Sequence, residues 1–228
     1  MPFEKYDDLS GPLLDESLWA PLVMGTPRVE KDAVTTVSDG VVTVDIATFA
    51  SADPDNQALD NTKHVIFSTR VFDLPATGPA RFEAELAVDH IGGDSGDYRL
   101  GVAALVLLEP ATGKVLNVLA TADRVYAEHE ELAYPGVEQP FTRVIDSPLG
   151  GFGGRGFHVV GVEIDRSLGR VVWTCDGRVL HEALGLDPLP ASVTVGFGFF
   201  TLLPISPDRS SAQGQGARAS WRNFRYAI

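Results

Sequence analysis

An all-β chain folded as an antiparallel two-sheet jelly-roll sandwich is the fold class this sequence predicts, and three observations carry it. Helix-period patterning is nearly absent over the 228 residues, period-two alternation recurs, and Gly, Pro and Asp turns separate the alternating runs. The length suits a single domain over residues 1–228, with 44% hydrophobic residues to fill its core.

The alternating runs predict strands over 34–38, 41–49, 64–72, 80–90, 98–109, 115–122, 124–132, 157–164, 170–175, 178–182, 192–203 and 217–227. In the strand over 80–90, Phe82, Ala84, Leu86 and Val88 share one parity and are expected to face the core. The next, "GVAALVLLEP", is apolar at both parities, the pattern of a strand buried on both faces. "GKVLNVLATADR" presents Val115, Asn117 and Leu119 at alternating positions. "RVYAEHEEL" sets Val125 and Ala127 on one side and Arg124, Tyr126, Glu128 and Glu130 on the other, with His129 at the opposite parity from the acids. That polar side points away from the core, either into a concave groove or into water at a solvated strand.

Further along, Val160, Val162 and Ile164 alternate, then Val171 and Trp173, with turns at 166–169 and at Asp176-Gly177. Asp-Gly between such runs is a strong hairpin signal. Trp173 reads either as a plug of the sandwich core or as a stacking platform. "SVTVGFGFFTLL" places Gly196 and Gly198 on one face and Phe197 and Phe199 on the other, and alternating glycines leave space above a sheet. "SPLGGFGGRGF" reads as a Gly-rich turn or as a lid with Phe152 and Arg155 at its tip, and no helix follows it to cradle a phosphate.

Composition excludes several partners. A formal charge of −13 and a pI near 4.7 repel phosphate backbones and anionic lipid, so neither nucleic acid nor a membrane surface is expected. No window approaches the roughly 18 apolar residues of a membrane span. Cys175 is the single cysteine, which excludes an internal disulfide, and the N-terminal stretch lacks the basic and apolar regions of a secretory signal. Both features predict a cytoplasmic protein.

Three stretches carry a family resemblance: "YDDLSGPLLDESLW" near the start, "FHVVGVEIDRSLGRVVWTCDGRV" in the middle and "ASWRNFRYAI" at the end. With "RFEAELAV" they resemble the concanavalin A-like lectin/glucanase superfamily, and in particular glycoside hydrolase family 16-type domains. The resemblance implies a jelly roll. In the hydrolases of that superfamily one strand carries three acidic residues at alternating positions, flanking the scissile bond. Chain order after "FEAELAV" puts "GKVLNVLATADR" in that slot, where Val115, Asn117 and Leu119 offer no carboxylate. The family's hydrolytic chemistry therefore does not carry over. Related folds often hold a structural calcium, and Asp94 and Asp97 in "HIGGDSGDYR" offer oxygens, but without a full calcium-loop signature. The five histidines show no metal-binding spacing, so no metal site and no cofactor are expected.

Two function classes follow. One is an enzyme that holds a mid-sized, largely apolar organic molecule in the groove for a cyclisation, isomerisation or dehydration. Its acid/base candidates are Glu130 and Tyr126, with Arg124, Glu128, Asn117, Gly196, Gly198 and Trp173 contacting the substrate. The other is a non-catalytic, lectin-like glycan-binding module that stacks sugars on Trp19, Trp173 and Trp221.

Overall fold

The alternating runs become strands wherever turn residues let the chain reverse. A computed structural model describes residues 2–24, 26–50, 62–92, 94, 96–151, 156–202 and 213–228, with backbone alone at Met24 and 148–151. The described strands, in chain order, are β1 (Glu4–Lys5), β2 (Trp19–Pro21), β3 (Val23–Met24), β4 (Thr26–Pro27), β5 (Val34–Ser38), β6 (Val41–Ile46), β7 (Lys63–Ser68), β8 (Phe72–Asp73) and β9 (Pro79–Ile91). They continue as β10 (Val102–Leu108), β11 (Lys114–Ala120), β12 (Arg124–Glu131), β13 (Phe141–Gly151), β14 (His158–Asp165), β15 (Arg170–Cys175), β16 (Arg178–Ala183), β17 (Ser192–Phe200) and β18 (Ala217–Ala227).

Among the described residues two large antiparallel sheets form, and β3 pairs with β4 in a separate two-stranded ribbon. The first runs β16-β15-β14-β9-β18-β6-β5 with β1 beside β18, and the second runs β13-β12-β11-β10-β17-β7-β2 with β8 beside β17. Their inner faces make the core. Phe82, Ala84, Leu86 and Val88 of β9 are buried there, as their shared parity predicts, together with Leu105, Leu107, Phe197 and Phe199 of the second sheet. β1 pairs with β18, Glu4 opposite Tyr226, so the two ends of the chain lie side by side. Among the described residues no helix is long and apolar enough to cross a membrane.

The hairpin after Cys175 has the geometry its Asp-Gly corner demands. Asp176 and Gly177 both take left-handed conformations, φ 50° and 72°, which a two-residue type I′ turn needs at both central positions. Trp173 pairs with Val162 and is fully buried, so it plugs the core and is not a stacking platform. Trp19 and Trp221 are buried too, their indole N–H groups donating to Asp7 Oδ2 at 2.7 Å and to the Ala104 carbonyl at 3.1 Å. None of the three tryptophans faces solvent, which removes the stacking surfaces expected of a lectin-like module.

Several boundaries differ from the pattern reading. The strand over 98–109 begins only at Val102, because Asp97 accepts from the Arg99 N–H and caps a short 3-10 turn over Tyr98–Leu100. The run over 64–72 breaks after Ser68, and the run over 41–49 stops at Ile46. β13 was not anticipated, since Pro140, Asp146, Pro148 and the glycines beyond read as loop. Its place at the edge of the second sheet explains how a proline is tolerated within it.

Candidate functional site

The outer face of the second sheet is assembled by strand register. One row across it reads Val144, Glu128, Asn117, Val106, Gly196 and Phe67; the next reads Asp146, Tyr126, Leu119, Ala104, Gly198 and Val65. A third contains Thr142, Glu130, Val115, Leu108 and Thr194. Parity alone brings these side chains to one surface. This face carries its own apolar cluster, separate from the core between the sheets, with Leu22, Tyr98, Leu132, Val144 and Leu202 packed against it. β12 is thus neither an edge strand nor a solvated one: β13 flanks it, and its outward Tyr126 and Glu128 are buried.

Glu128 occupies the middle of this apolar surface with 0% exposure. Asn117 Nδ2 donates to Glu128 Oε2 at 2.5 Å, while Asn117 Oδ1 accepts from the Leu107 N–H at 3.3 Å. Among the described residues Glu128 Oε1 has no hydrogen-bond partner. Burial, reinforced by the neighbouring Glu130 charge, pushes the Glu128 carboxyl well above its ordinary 4.5, against the opposing pull of Asn117 and of Lys63. Burial therefore favours the protonated form of this side chain. With Oε2 engaged by a donor, the acidic proton sits on Oε1.

Glu130 lies one row away, half-buried. Burial raises its pKa, and Thr142 Oγ1, donating to its Oε1 at 2.5 Å, and the Lys63 charge act in the opposite direction. Tyr126 is buried, its ring edge-on to Tyr98 with centroids 5.2 Å apart, and its hydroxyl donates to the Gly96 carbonyl at 3.1 Å. Burial drives the phenol pKa up. Arg124 sits at the exposed end of β12 in an ion pair with Asp146 at 3.0 Å, where water screens it. Of the residues predicted from sequence, Glu128, Glu130, Asn117 and Tyr126 come together, with Arg124 at the rim.

The remaining predicted contacts fall elsewhere. Trp173 belongs to the other sheet and points into the core. Gly196 and Gly198 do face outward, but they leave no room for a ligand. A Cβ on Gly198 would stand 2.0 Å from the His64 carbonyl oxygen, and one on Gly196 would meet the Phe67 ring at 2.6 Å and the Ile66 carbonyl at 2.7 Å. These glycines let β7 and β17 approach each other closely. The Asp94 and Asp97 loop is also committed: Asp94 Oδ1 accepts from Gly96 N, and the Asp97 carboxylate accepts two bonds at 2.6 Å from the Arg99 guanidinium. Phe152 and Arg155 lie outside the described residues.

Lys63, Thr142 and Val144 also belong to this site, and the predicted strands do not reach them: Lys63 precedes the strand over 64–72, and the other two lie on β13. The short alternation Thr142–Val144 between Arg143 and Ile145 was the available signal.

No carboxylate occupies the outer face of either central strand. β10 presents Val102, Ala104, Val106 and Leu108, and β11 presents Val115, Asn117 and Leu119. β10 lies between β9 and β11 in the chain, so the slot for an acidic triad is apolar whichever strand is aligned with it.

In overall shape the chain is similar to known glucanases. The endo-1,3-β-glucanase of Streptomyces sioyaensis aligns over 99% of this chain and 94% of its own, with 15% identity and a TM-score of 0.62. The laminarinase catalytic domain of Thermotoga petrophila aligns over 99% and 97%, with 16% identity and a TM-score of 0.64. The Bacillus licheniformis β-glucanase aligns over 99% and 97%, with 11% identity and a TM-score of 0.58. At such identities the likeness is one of fold, the concanavalin A-like jelly roll that the sequence motifs resemble. No curated protein matches the chain in sequence. The family model described as "Family of unknown function (DUF6081)" matches residues 13–228, and the chain belongs to that family.

Proposed function

We propose that the outer face of the second sheet receives a mid-sized, largely apolar organic molecule and that Glu128 hands it a proton. The carrying observation is Glu128 itself: a fully buried carboxyl whose pKa burial raises, on an apolar surface, one oxygen held by Asn117 and the other, among the described residues, without a hydrogen-bond partner. An unsatisfied buried donor is costly unless something accepts from it. A carbonyl oxygen or the π bond of an alkene in an apolar molecule fits that requirement, and the surrounding Val106, Val115 and Leu119 favour its hydrocarbon part.

The chemistry follows from the charges. Protonation of the substrate by Glu128 Oε1 leaves a carboxylate, which the Asn117 amide and the Lys63 charge stabilise. Return of a proton from a neighbouring carbon to the Glu128 carboxylate closes an isomerisation or cyclisation; in a dehydration the protonated group is a hydroxyl, which leaves as water before that same return of a proton. Glu130, also raised by burial, lies within one row to share the proton inventory.

Replacing Glu128 by Gln keeps the volume and an acceptor for Asn117 but removes the acidic proton. Incubated with a library of unsaturated, carbonyl-bearing apolar molecules, the variant is expected to retain binding and lose turnover by roughly 10²-fold or more. Undiminished turnover would remove Glu128 from the chemistry. The glucanase-like fold supports a second reading, glycan binding, in which a glycan array gives ligands and the apolar library gives none.

A further inference from the structure

A second constellation lies on the first sheet, at the end of the β14–β15 hairpin. Val160 is the register partner of Cys175, so His158, two residues earlier on β14 and of the same parity, stands diagonally beside Cys175. Asp176 follows Cys175 at the left-handed corner of the turn. Its backbone N–H donates to the Val159 carbonyl at 2.8 Å, its Oδ1 accepts from the Val159 N–H at 2.9 Å, and its Oδ2 meets His158 Nδ1 at 2.7 Å. An imidazole nitrogen, a thiol sulfur and a carboxylate oxygen thereby lie within 4.8 Å of one another. Sequence spacing hides this group, because His158 is 17 residues from Cys175 and only the hairpin register joins them.

We infer that His158, Cys175 and Asp176 form a three-ligand site for a divalent cation of the zinc class. The donor set of one nitrogen, one sulfur and one oxygen suits a borderline-soft ion and does not suit calcium, which takes six to eight oxygens. Strand register and the two Val159 bonds hold the ligands before any ion arrives, so little ordering cost attends binding. Asp176 is half exposed, which gives the ion an entry path and leaves a fourth position open to water. Arg178, the register partner of Cys175 on β16, is exposed, so solvent screens its opposing charge.

A nucleophilic role for the same cysteine fits less well. Burial, then the nearby Asp176 charge, pushes the Cys175 thiol up to about 12, so without an ion it stays protonated and unreactive. A bound cation inverts that logic, since a coordinating thiol gives up its proton. On binding, the thiol proton leaves to solvent, and the proton held between His158 Nδ1 and Asp176 Oδ2 is displaced to solvent or to Nε2, which frees Nδ1 for the metal.

Cobalt(II) titrated into untagged full-length protein tests the site, because a cobalt–thiolate bond has a near-ultraviolet charge-transfer absorption that nitrogen and oxygen ligands lack. The expected result is one cobalt per chain with that absorption, displaced by zinc(II). Cys175→Ser is expected to abolish the band, and His158→Gln to weaken cobalt binding by more than about 100-fold. Circular dichroism verifies folding of each variant, and His158→Gln and Asp176→Asn decide the matter should Cys175→Ser not fold. Absence of the charge-transfer band in the wild type, its persistence in Cys175→Ser, or unchanged affinity in His158→Gln would overturn the site.

Discussion

At Glu128 two effects oppose each other, and their magnitudes decide the protonation state. Removing an ionised carboxylate from water costs several kcal/mol even after relaxation, whereas one hydrogen bond from a neutral amide returns about 1 kcal/mol. The balance favours the protonated form. A pH dependence of stability follows, with a definite sign. In the unfolded chain this glutamate ionises near 4.5, and in the folded chain well above it. Its contribution is therefore fully present below pH 4.5 and is lost as pH rises toward the folded value. Urea unfolding of the wild type and Glu128→Gln should show the wild type losing ground steadily from pH 4.5 upward; a wild type that gains ground would contradict the neutral acid. His64 carries the opposite sign. Burial lowers its pKa from 6.5 to about 4, so its contribution is present above pH 6.5 and is lost as pH falls through 4. Against His64→Asn, the wild type is expected to lose on the order of 3 kcal/mol over that interval, measured by the same unfolding series.

Among the strands, β12 and β17 show what alternation can and cannot reveal. Parity in "RVYAEHEEL" correctly separates the core-facing Val125 and Ala127 from the outward Tyr126, Glu128 and Glu130, because side-chain direction along a strand is a local property. Depth is not local. Glu128 is more enclosed than Glu130, with the apolar Val144 of β13 opposite the first and the polar Thr142 opposite the second, and Pro148 interrupts the alternation of β13. The glycines of β17 mislead for the same reason. Their spacing announces open sheet surface, yet the place of a side chain there is taken by the backbone of the adjacent strand β7 and by its Phe67 ring, neighbours that alternation cannot supply. Gly198→Ala puts a methyl carbon within 2.0 Å of a backbone oxygen that has no rotamer to escape into. It is expected to destabilise by about 3 kcal/mol or more, read as a loss of unfolding midpoint in urea. Near-wild-type stability would show that β7 is free to move away.

On the scale of the whole molecule, the jelly roll was legible because turn chemistry and parity act at every strand and agree with the start and end motifs. What such a fold does was not, since one scaffold hosts many functions and a likeness at 15% and 16% identity is one of fold alone. An apolar surface where an acidic triad would stand predicts no release of reducing sugar from β-1,3, β-1,4 or mixed-linkage glucans; robust release by the wild type would contradict the reading of β10 and β11. The central claim is that the second sheet's outer face is a binding site built around Glu128. A crystal structure with an apolar molecule selected by thermal shift from the carbonyl-bearing library tests it most directly. The account predicts ligand density against Val106 and Leu119 with a polar atom within hydrogen-bonding distance of Glu128 Oε1. Density bound elsewhere on the molecule, with Glu128 Oε1 still unpartnered, would contradict it.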